Sequence, residues 1–593
     1  MKKIIDRIKR LRLLMAQEKL DAWYISGTDP HISEYPPERW CERKFITGFT
    51  GSYGEVVVTT SDALLWTDTR YFIQAEDELR GTGIKMQKLR VPDAVPFEEW
   101  LVQNLNAGAR VGVNPECLPL NTFKKLKGRL AEAGIELVFR ADLVGRLWEN
   151  RPPLPQNEVF ELDVKYTGLS RSEKFDIITK KLNDIGCDLQ IITALDDLAW
   201  TFNLRGSDVL YNPVFVGFGI IGEKIRRLFV DHEKLPSTIS EKLKTDNIQL
   251  QDYNTFYNFL GTLSGKRVLI DPVTTNLAVF NSLPYGCEKV EGNSVPALMK
   301  ALKNNTELEG FRVAMRKDGV ALVKFLFWIK NNIGKIPLTE YNVAVKLAEF
   351  RSEMEGFRGE SFSPIVGYRE HGAVVHFSVS KETAIALEAR GLLLVDSGGH
   401  YLDGTTDITR TIVLGPLTQQ EKHDFTLILK GLISLTEAKF PFGTKGHNLD
   451  ILARQGLWQN GLNYGHGTGH GVGHYLSVHE GPAGIRQEFN PQPIEPGMVL
   501  SNEPGIYREG EYGIRIENMM VCVEREVTGF GQFLGFETLT LCPIDLKAVD
   551  PKLLNQAEKE WINLYHRKVR TVLGPFLNRP LKRFLEEITP EIK

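Results

Sequence analysis

The chain has 593 residues, 42% hydrophobic and 25% charged, and 72 Lys and Arg against 75 Asp and Glu leave a net charge of −3. At roughly 100–200 residues per domain, this is a globular chain of two to four domains. A near-neutral balance with no basic stripe speaks against nucleic acid and against an anionic membrane surface as partners.

The first stretch, "MKKIIDRIKRLRLLMAQEKL", is apolar at helical spacing but studded with charge. It lacks the uninterrupted apolar core of a secretory leader, and no apolar run reaches the ~18–20 residues of a membrane span. A cytoplasmic location is expected. Six cysteines, Cys41, Cys117, Cys187, Cys287, Cys522 and Cys542, form no CxxC pair and read as reduced and mostly buried.

The helix "LRLLMAQEKL" is followed by a strand, "DAWYIS", an acidic loop, "GTDPHISEY", and a β-rich stretch, "GEVVVTTSDALLWTDTRYF". The prolines of "RPPLPQNEV", from Arg151, break helix and strand alike and mark a linker. The same outline then returns: helix "FDIITKKLNDIG", strand "DLQIIT", acidic loop "ALDDLAWTFNLRG", β-rich "VFVGFGIIGEKIRRLFVD". This weak repeat predicts two similar α/β domains, 1–155 and 156–300. A third domain, 301–593, opens with a long amphipathic helix carrying Leu308, Phe311, Met315, Val320, Leu322 and Phe325. Long β-rich stretches follow, then a helical tail that packs on its own domain.

The third domain holds "YGHGTGHGVGHYLSVHEGP", with four of the 12 histidines: His466, His470, His474 and His479. The first three are spaced for one helix face. The interleaved glycines, at about 1 kcal/mol each, rule a helix out, so this is a loop or irregular strand whose backbone approaches something closely. His479-Glu480 opens no HExxH motif, because Gly481 and Pro482 follow.

Carboxylates supply partners for the imidazoles. An apolar strand in "GLLLVDSGGHYLDGTTDITRTIVLG" runs into Asp396, and a second carries Asp407, Thr409 and Thr411 on one face. A tight turn at Asp403-Gly404 leaves the two aspartates four residues out of register. For them to face each other, a wider loop centred near 401 is needed. In "GMVLSNEPGIYREGEYGIRIENMMVCV", Glu503 ends one strand, and Arg515 and Glu517 share a face of the next. Buried carboxylates must be paired, protonated or bound to metal. Asp396, Asp407, Glu503 and Glu517 bring four negative charges, which two divalent cations neutralise, with neutral His470 as a fifth donor. Such an oxygen-rich set suits Mn²⁺ before Co²⁺ or Zn²⁺. A metal pair can activate a bridging water.

Asp-x10-Asp, the histidine of GHGTGHG, the glutamate of NEPG and the glutamate of GIRIEN together resemble the pita-bread metallopeptidases, family M24. Within it, "SFSPIVGYREHGAVVHF", "DGTTDITRT" and "EYGIRIEN" are similar to the aminopeptidase P group. "FITGFTGSYGE", "WTDTRYF" and "TALDDLAWTFNLRGSDVLYNPVF" resemble the amino-terminal domains of its long, cytosolic, three-domain form. The resemblance covers most of the chain. It implies two creatinase-like α/β domains followed by a pita-bread α+β catalytic domain. It also implies metal ligands Asp396, Asp407, His470, Glu503 and Glu517, with Asp407 and Glu517 touching both ions. His376, His466 and His479 would position substrate and move protons, and Arg515 would steady the carboxylates. His474 matches no role.

The activity implied is removal of the first residue from peptides with proline second. Glu503 would act as general base, and His466 or His479 would stabilise the oxyanion. A homodimer is implied by the same resemblance. The rivals are prolidase, which takes Xaa-Pro dipeptides, methionine aminopeptidase, a creatinase-like hydrolase, and an inactive pita-bread module that only binds peptides or proteins. The long amino-terminal half argues against the first two, and retention of all five ligands against the others.

Overall fold

The structure is a computed structural model describing all residues, 1–593. The chain divides into two compact units: residues 1–163 with 169–298, and residues 164–168 with 299–593.

The first unit contains the expected repeat. Its first sheet has strands β1 (Ala22–Ile25), β2 (Glu55–Thr59), β3 (Ala63–Thr67), β4 (Lys85–Lys88), β5 (Arg110–Val113) and β6 (Glu136–Phe139), in the order β4-β3-β2-β1-β5-β6. A short pair, β7 (Phe160–Glu161) with β9 (Leu204–Arg205), stands apart. The second sheet has β8 (Leu189–Ile192), β10 (Phe218–Gly222), β11 (Ile225–Phe229), β12 (Gln249–Gln251), β13 (Arg267–Ile270) and β14 (Glu288–Glu291), in the order β12-β11-β10-β8-β13-β14. Both sheets have the same directions: the first strand is antiparallel to one neighbour and parallel to the other. Each first strand is preceded by an amphipathic helix, Lys2–Gln17 and Arg171–Asp184.

One local expectation fails. The second acidic loop is largely a helix, Leu195–Phe202. Leu195, Leu198, Ala199 and Phe202 bury its apolar face, while Asp196 and Asp197 lie in the first turn, where the helix dipole favours anions. Asn203, in the left-handed region at φ 52°, ends it.

The second unit begins with the predicted amphipathic helix, Asn305–Asn332, capped by Asn304 and burying Phe311, Met315, Val320, Leu322 and Phe325. Its strands are β15 (Phe357–Glu360), β16 (Ile365–Tyr368), β17 (Leu392–Ser397), β18 (Gly399–Tyr401), β19 (Gly404–Thr405), β20 (Ile408–Val413), β21 (Phe440–Pro441), β22 (Gly469–Gly471), β23 (Glu480–Ile485), β24 (Val499–Asn502), β25 (Gly505–Arg508), β26 (Tyr512–Arg515), β27 (Asn518–Thr528) and β28 (Gly531–Thr538). They form a six-stranded sheet, β21-β28-β27-β24-β22-β23, two three-stranded sheets, β15-β18-β19 and β16-β17-β20, and the hairpin β25-β26. Helices Gln419–Thr436 and Gly446–Trp458 pack on this framework. The tail helix Gln556–Leu573 buries Ile562, Tyr565, Val569 and Leu573 in the unit's own core, as expected.

Two long hairpins organise the unit. In the first, β17 pairs with β20 and β18 with β19 in one unbroken register, from Leu392↔Val413 to Tyr401↔Gly404. The turn is therefore tight, at Leu402-Asp403, and the wide loop near 401 is not there. Asp396 lies opposite Thr409, and Asp407 sits just before β20. In the second, β24 pairs with β27 through Asn502↔Asn518, and β25 with β26 through Gly505↔Arg515. The sequence reading paired the Glu503 strand with the Arg515 strand. Instead one register runs through both ladders and is interrupted at Glu503-Pro504 and Ile516-Glu517.

Candidate metal centre

That interruption is where two carboxylates sit. The Glu503 N–H donates to the Thr468 carbonyl at 2.8 Å, and the Glu517 N–H to the Thr409 carbonyl at 3.1 Å. Each backbone donor thus leaves its own hairpin for a neighbouring strand, which draws the His470 loop and the Asp407 strand against the two glutamates. Glycine allows the approach. A Cβ on Gly469 would lie 2.0 Å from the Ser501 carbonyl oxygen, and one on Gly471 2.3 Å from that of Glu480.

One ligand atom each from Asp407, His470 and Glu517 lie within 4.8 Å of one another. His470 Nε2 is 3.5 Å from Asp407 Oδ2 and 3.4 Å from Glu503 Oε1. His470 Nδ1 lies 2.9 Å from the Gly471 carbonyl, which can only accept, so Nδ1 carries the hydrogen, and Nε2, facing the carboxylates, is the atom that a proton or a cation would occupy. Ser501 Oγ accepts from the His470 N–H at 3.0 Å and donates to Glu503 Oε1 at 3.1 Å.

The electrostatics are those of a site short of positive charge. Burial, then Asp407 and Glu503, push the Glu517 carboxyl well above the usual carboxylate range. Burial also raises Glu503 to about 7, helped by Asp407 and opposed by His470. Asp396 is raised by burial, against the pull of Arg515. Burial would lower the His470 imidazole, but Asp407 and Glu503 reverse that and push it to about 9. Asp396 Oδ1 is buried with no hydrogen-bond partner. Four carboxylates, one lone-pair-bearing imidazole and an orphaned carboxylate oxygen fit divalent cations.

A hydrogen-bonded chain ties this cluster to His466. Arg515 Nη2 donates to Asp396 Oδ2 at 2.5 Å, and Arg515 Nε donates to Thr409 Oγ1 at 3.1 Å. Thr409 Oγ1 passes its own hydrogen to Glu517 Oε2 at 2.8 Å. Arg515 Nη1 donates to the Tyr507 hydroxyl at 2.5 Å, and that hydroxyl lies 2.8 Å from His466 Nε2. His466 Nδ1 faces the Gly467 carbonyl at 2.7 Å, so Nε2 accepts from Tyr507. Burial raises the Tyr507 phenol to about 12, against Arg515, which keeps its hydrogen in place.

The chain's residues 309–524 match metallopeptidase family M24, and residues 532–592 match the C-terminal region of that peptidase family. Residues 7–144 and 150–307 each match a creatinase/prolidase N-terminal domain. A probable Xaa-Pro aminopeptidase P of Laccaria bicolor is 39% identical, over 99% of this chain and 93% of that protein. The chain belongs to metallopeptidase family M24. Aminopeptidase P2 of Arabidopsis thaliana is 37% identical over 96% of this chain and 86% of its own length. The crystal structure of an X-prolyl aminopeptidase from Caenorhabditis elegans, described as a cytosolic enzyme with a di-nuclear active site, is similar with a TM-score of 0.96. It is 35% identical and covers 99% of this chain and 100% of its own. The two creatinase-like domains and the M24 domain expected from the sequence are thus present.

Around this M24 centre the remaining candidates are less uniform. The His479 ring meets the His470 ring edge-on, with centroids 4.4 Å apart. His376 is half-buried and follows Val375, whose carbonyl accepts from Arg515 Nη2 at 3.4 Å. His474 is turned away, its buried ring edge-on to Phe311 at 5.5 Å. Tyr507, and the hydroxyls of Thr409 and Ser501, escaped the sequence reading. Tyr507 lies in a hairpin of alternating residues, and nothing local to the sequence sets it apart from a packing residue.

Proposed function

We propose that this M24 chain is a dinuclear metal-dependent aminopeptidase that removes the N-terminal residue from peptides with proline in the second position. The observation that carries this reading is the Asp407–His470–Glu517 group, flanked by Asp396 and Glu503, in a chain whose likeness to proteins named Xaa-Pro aminopeptidase runs over nearly its whole length. Full-length likeness favours it over prolidase. We propose domains at 1–155, 156–300 and 301–593, a homodimer, and a cytoplasmic location. No helix is long and apolar enough to cross a membrane.

Asp396, Asp407, His470, Glu503 and Glu517 would hold the ions, with Mn²⁺ favoured over Co²⁺ and Zn²⁺ by the oxygen-rich donor set. Two divalent ions supply an acidified water and polarisation of the scissile carbonyl. Glu503 would take the proton of the attacking water. His466 or His479 would stabilise the developing oxyanion, His466 only as the imidazolium, because its neutral ring gives Nδ1–H to Gly467 and accepts from Tyr507 at Nε2. Arg515, held by Thr409 and Tyr507, keeps Asp396 charged and oriented. Proline has no N–H, so its recognition must come from the ring.

The test uses purified protein with Mn²⁺, offered Arg-Pro-Pro, Gly-Pro and Met-Ala-Ser with and without EDTA. Arginine release from the tripeptide, abolished by chelation, supports the reading. Cleavage of Gly-Pro alone makes the chain a prolidase. No cleavage with metal bound leaves a peptide-binding module.

A further inference from the structure

The segment between His470 and His479 is anchored from a direction that the metal centre does not explain. Glu480 is 4% exposed, and so is Lys300, while Lys303 is 6% exposed. The Lys303 ammonium pairs with Glu480 Oε1, and Lys300 Nζ lies 3.4 Å from Glu480 Oε2. Two buried ammoniums therefore converge on one buried carboxylate. The lysines are themselves held on stiff backbone. Leu302 bridges to Met498, and the Lys303 N–H donates to the Gly497 carbonyl at 3.1 Å, at the entrance of β24, the strand that leads to Glu503.

The chain chemistry makes this more than filler. Burying three charges costs more than packing apolar side chains of the same volume, and its return is one defined arrangement. Glu480 opens β23, and His479 stands in the bend immediately before it, so that fixing the Glu480 side chain also fixes the backbone that carries His479. With Glu480 drawn to the lysines, the neighbouring His479 ring meets that of His470 edge-on. The same anchor closes the loop. The Gly473 N–H donates to the Ser477 carbonyl at 3.0 Å, and a Cβ at Gly473 would lie 3.2 Å from Glu480 Oε2. The turn is thus folded down onto the carboxylate.

We propose that Glu480, clamped by Lys300 and Lys303, is the positioning residue for His479: it fixes loop 471–479 so that the His479 imidazole stands beside His470. Its consequence for turnover rests on the aminopeptidase reading, whereas its consequence for loop order does not.

The experiment compares wild type, Glu480→Gln and Lys300→Met, each loaded with Mn²⁺. Hydrogen exchange of the amides in 472–479 is followed by mass spectrometry well below the melting temperature. Both variants are expected to exchange there about tenfold faster, with metal content unchanged. With Arg-Pro-Pro, kcat is expected to fall roughly tenfold and KM to stay within about twofold, the signature of a displaced group rather than a lost binding site. Wild-type exchange in 472–479 in a folded variant overturns the proposal, and so does loss of metal. If Glu480→Gln does not fold, Lys300→Met decides, since it leaves the Lys303 pair intact. If the wild type cleaves no Xaa-Pro peptide, the aminopeptidase reading fails and the exchange measurement still decides this one.

Discussion

Replacing Tyr507 by Phe removes one oxygen atom and isolates what the hydrogen-bonded chain contributes. The hydroxyl accepts from Arg515 Nη1 at 2.5 Å and faces His466 Nε2 at 2.8 Å. Arg515 is 1% exposed, so its guanidinium loses an acceptor in a buried setting. An unsatisfied buried donor of this kind costs about 1–3 kcal/mol, which for a unit of this size lowers Tm by roughly 2–5 °C. Asp396 keeps its own bond from Arg515 Nη2, so metal content is expected to stay at the wild-type level. His466 loses the donor that fixes its ring. We expect kcat for Arg-Pro-Pro to drop about 10–100-fold, equivalent to about 1.4–2.7 kcal/mol of transition-state stabilisation. Differential scanning fluorimetry, metal analysis and steady-state kinetics on the same preparation read the three quantities. A kcat within twofold of wild type would show that His466 is not oriented through Tyr507. Loss of metal would show instead that the chain supports the ligands themselves.

Asp407→Ala or Glu517→Ala should abolish both metal binding and peptidase activity while the circular dichroism spectrum stays native, and turnover in either would refute the two-metal reading. Chelation should lower the melting temperature of the second unit, since ions bound at 100 times their Kd contribute about 2.7 kcal/mol each and their removal leaves four clustered carboxylates. An unchanged melting curve in EDTA, with metal demonstrably removed, counts against the assignment. The hydrogen bond from His371 Nδ1 to buried Glu340 raises the His371 pKa above its ordinary value, against partial burial. The folded state therefore holds this proton more tightly than the unfolded chain, so the stability it adds is complete below the unfolded value near 6.5 and lost as pH rises through the folded one. Between pH 6 and 8 the wild type should lose more thermal stability than His371→Ala, and equal slopes would exclude the pair as the cause.

The donor set proposed for the centre was legible in the chain alone, because the residues that can bind a hard cation are few and stand out on apolar strands. Asp396 and Asp407, His470 between glycines, and Glu503 and Glu517 were all visible this way. The repeat of helix, strand and β-rich stretch likewise announced the two similar sheets. Register was not legible. A period-two pattern says which face a residue takes but not which residue it meets, so Asp396 was set against Asp407 although the ladder places it against Thr409. The acidic loop at Asp196 and Asp197 was misread because its carboxylates lie in the first turn of a buried helix, a role visible only once Leu198 and Phe202 have a core to enter. The partners of Tyr507, Thr409 and Glu480 were invisible for a related reason. Each acts through a partner between 41 and 177 positions away in sequence, at His466, Glu517 and Lys303. Local sequence carries the chemistry of a side chain. Only the tertiary fold, by diverting the backbone donors of Glu503 and Glu517 to other strands, decides which chemistries meet.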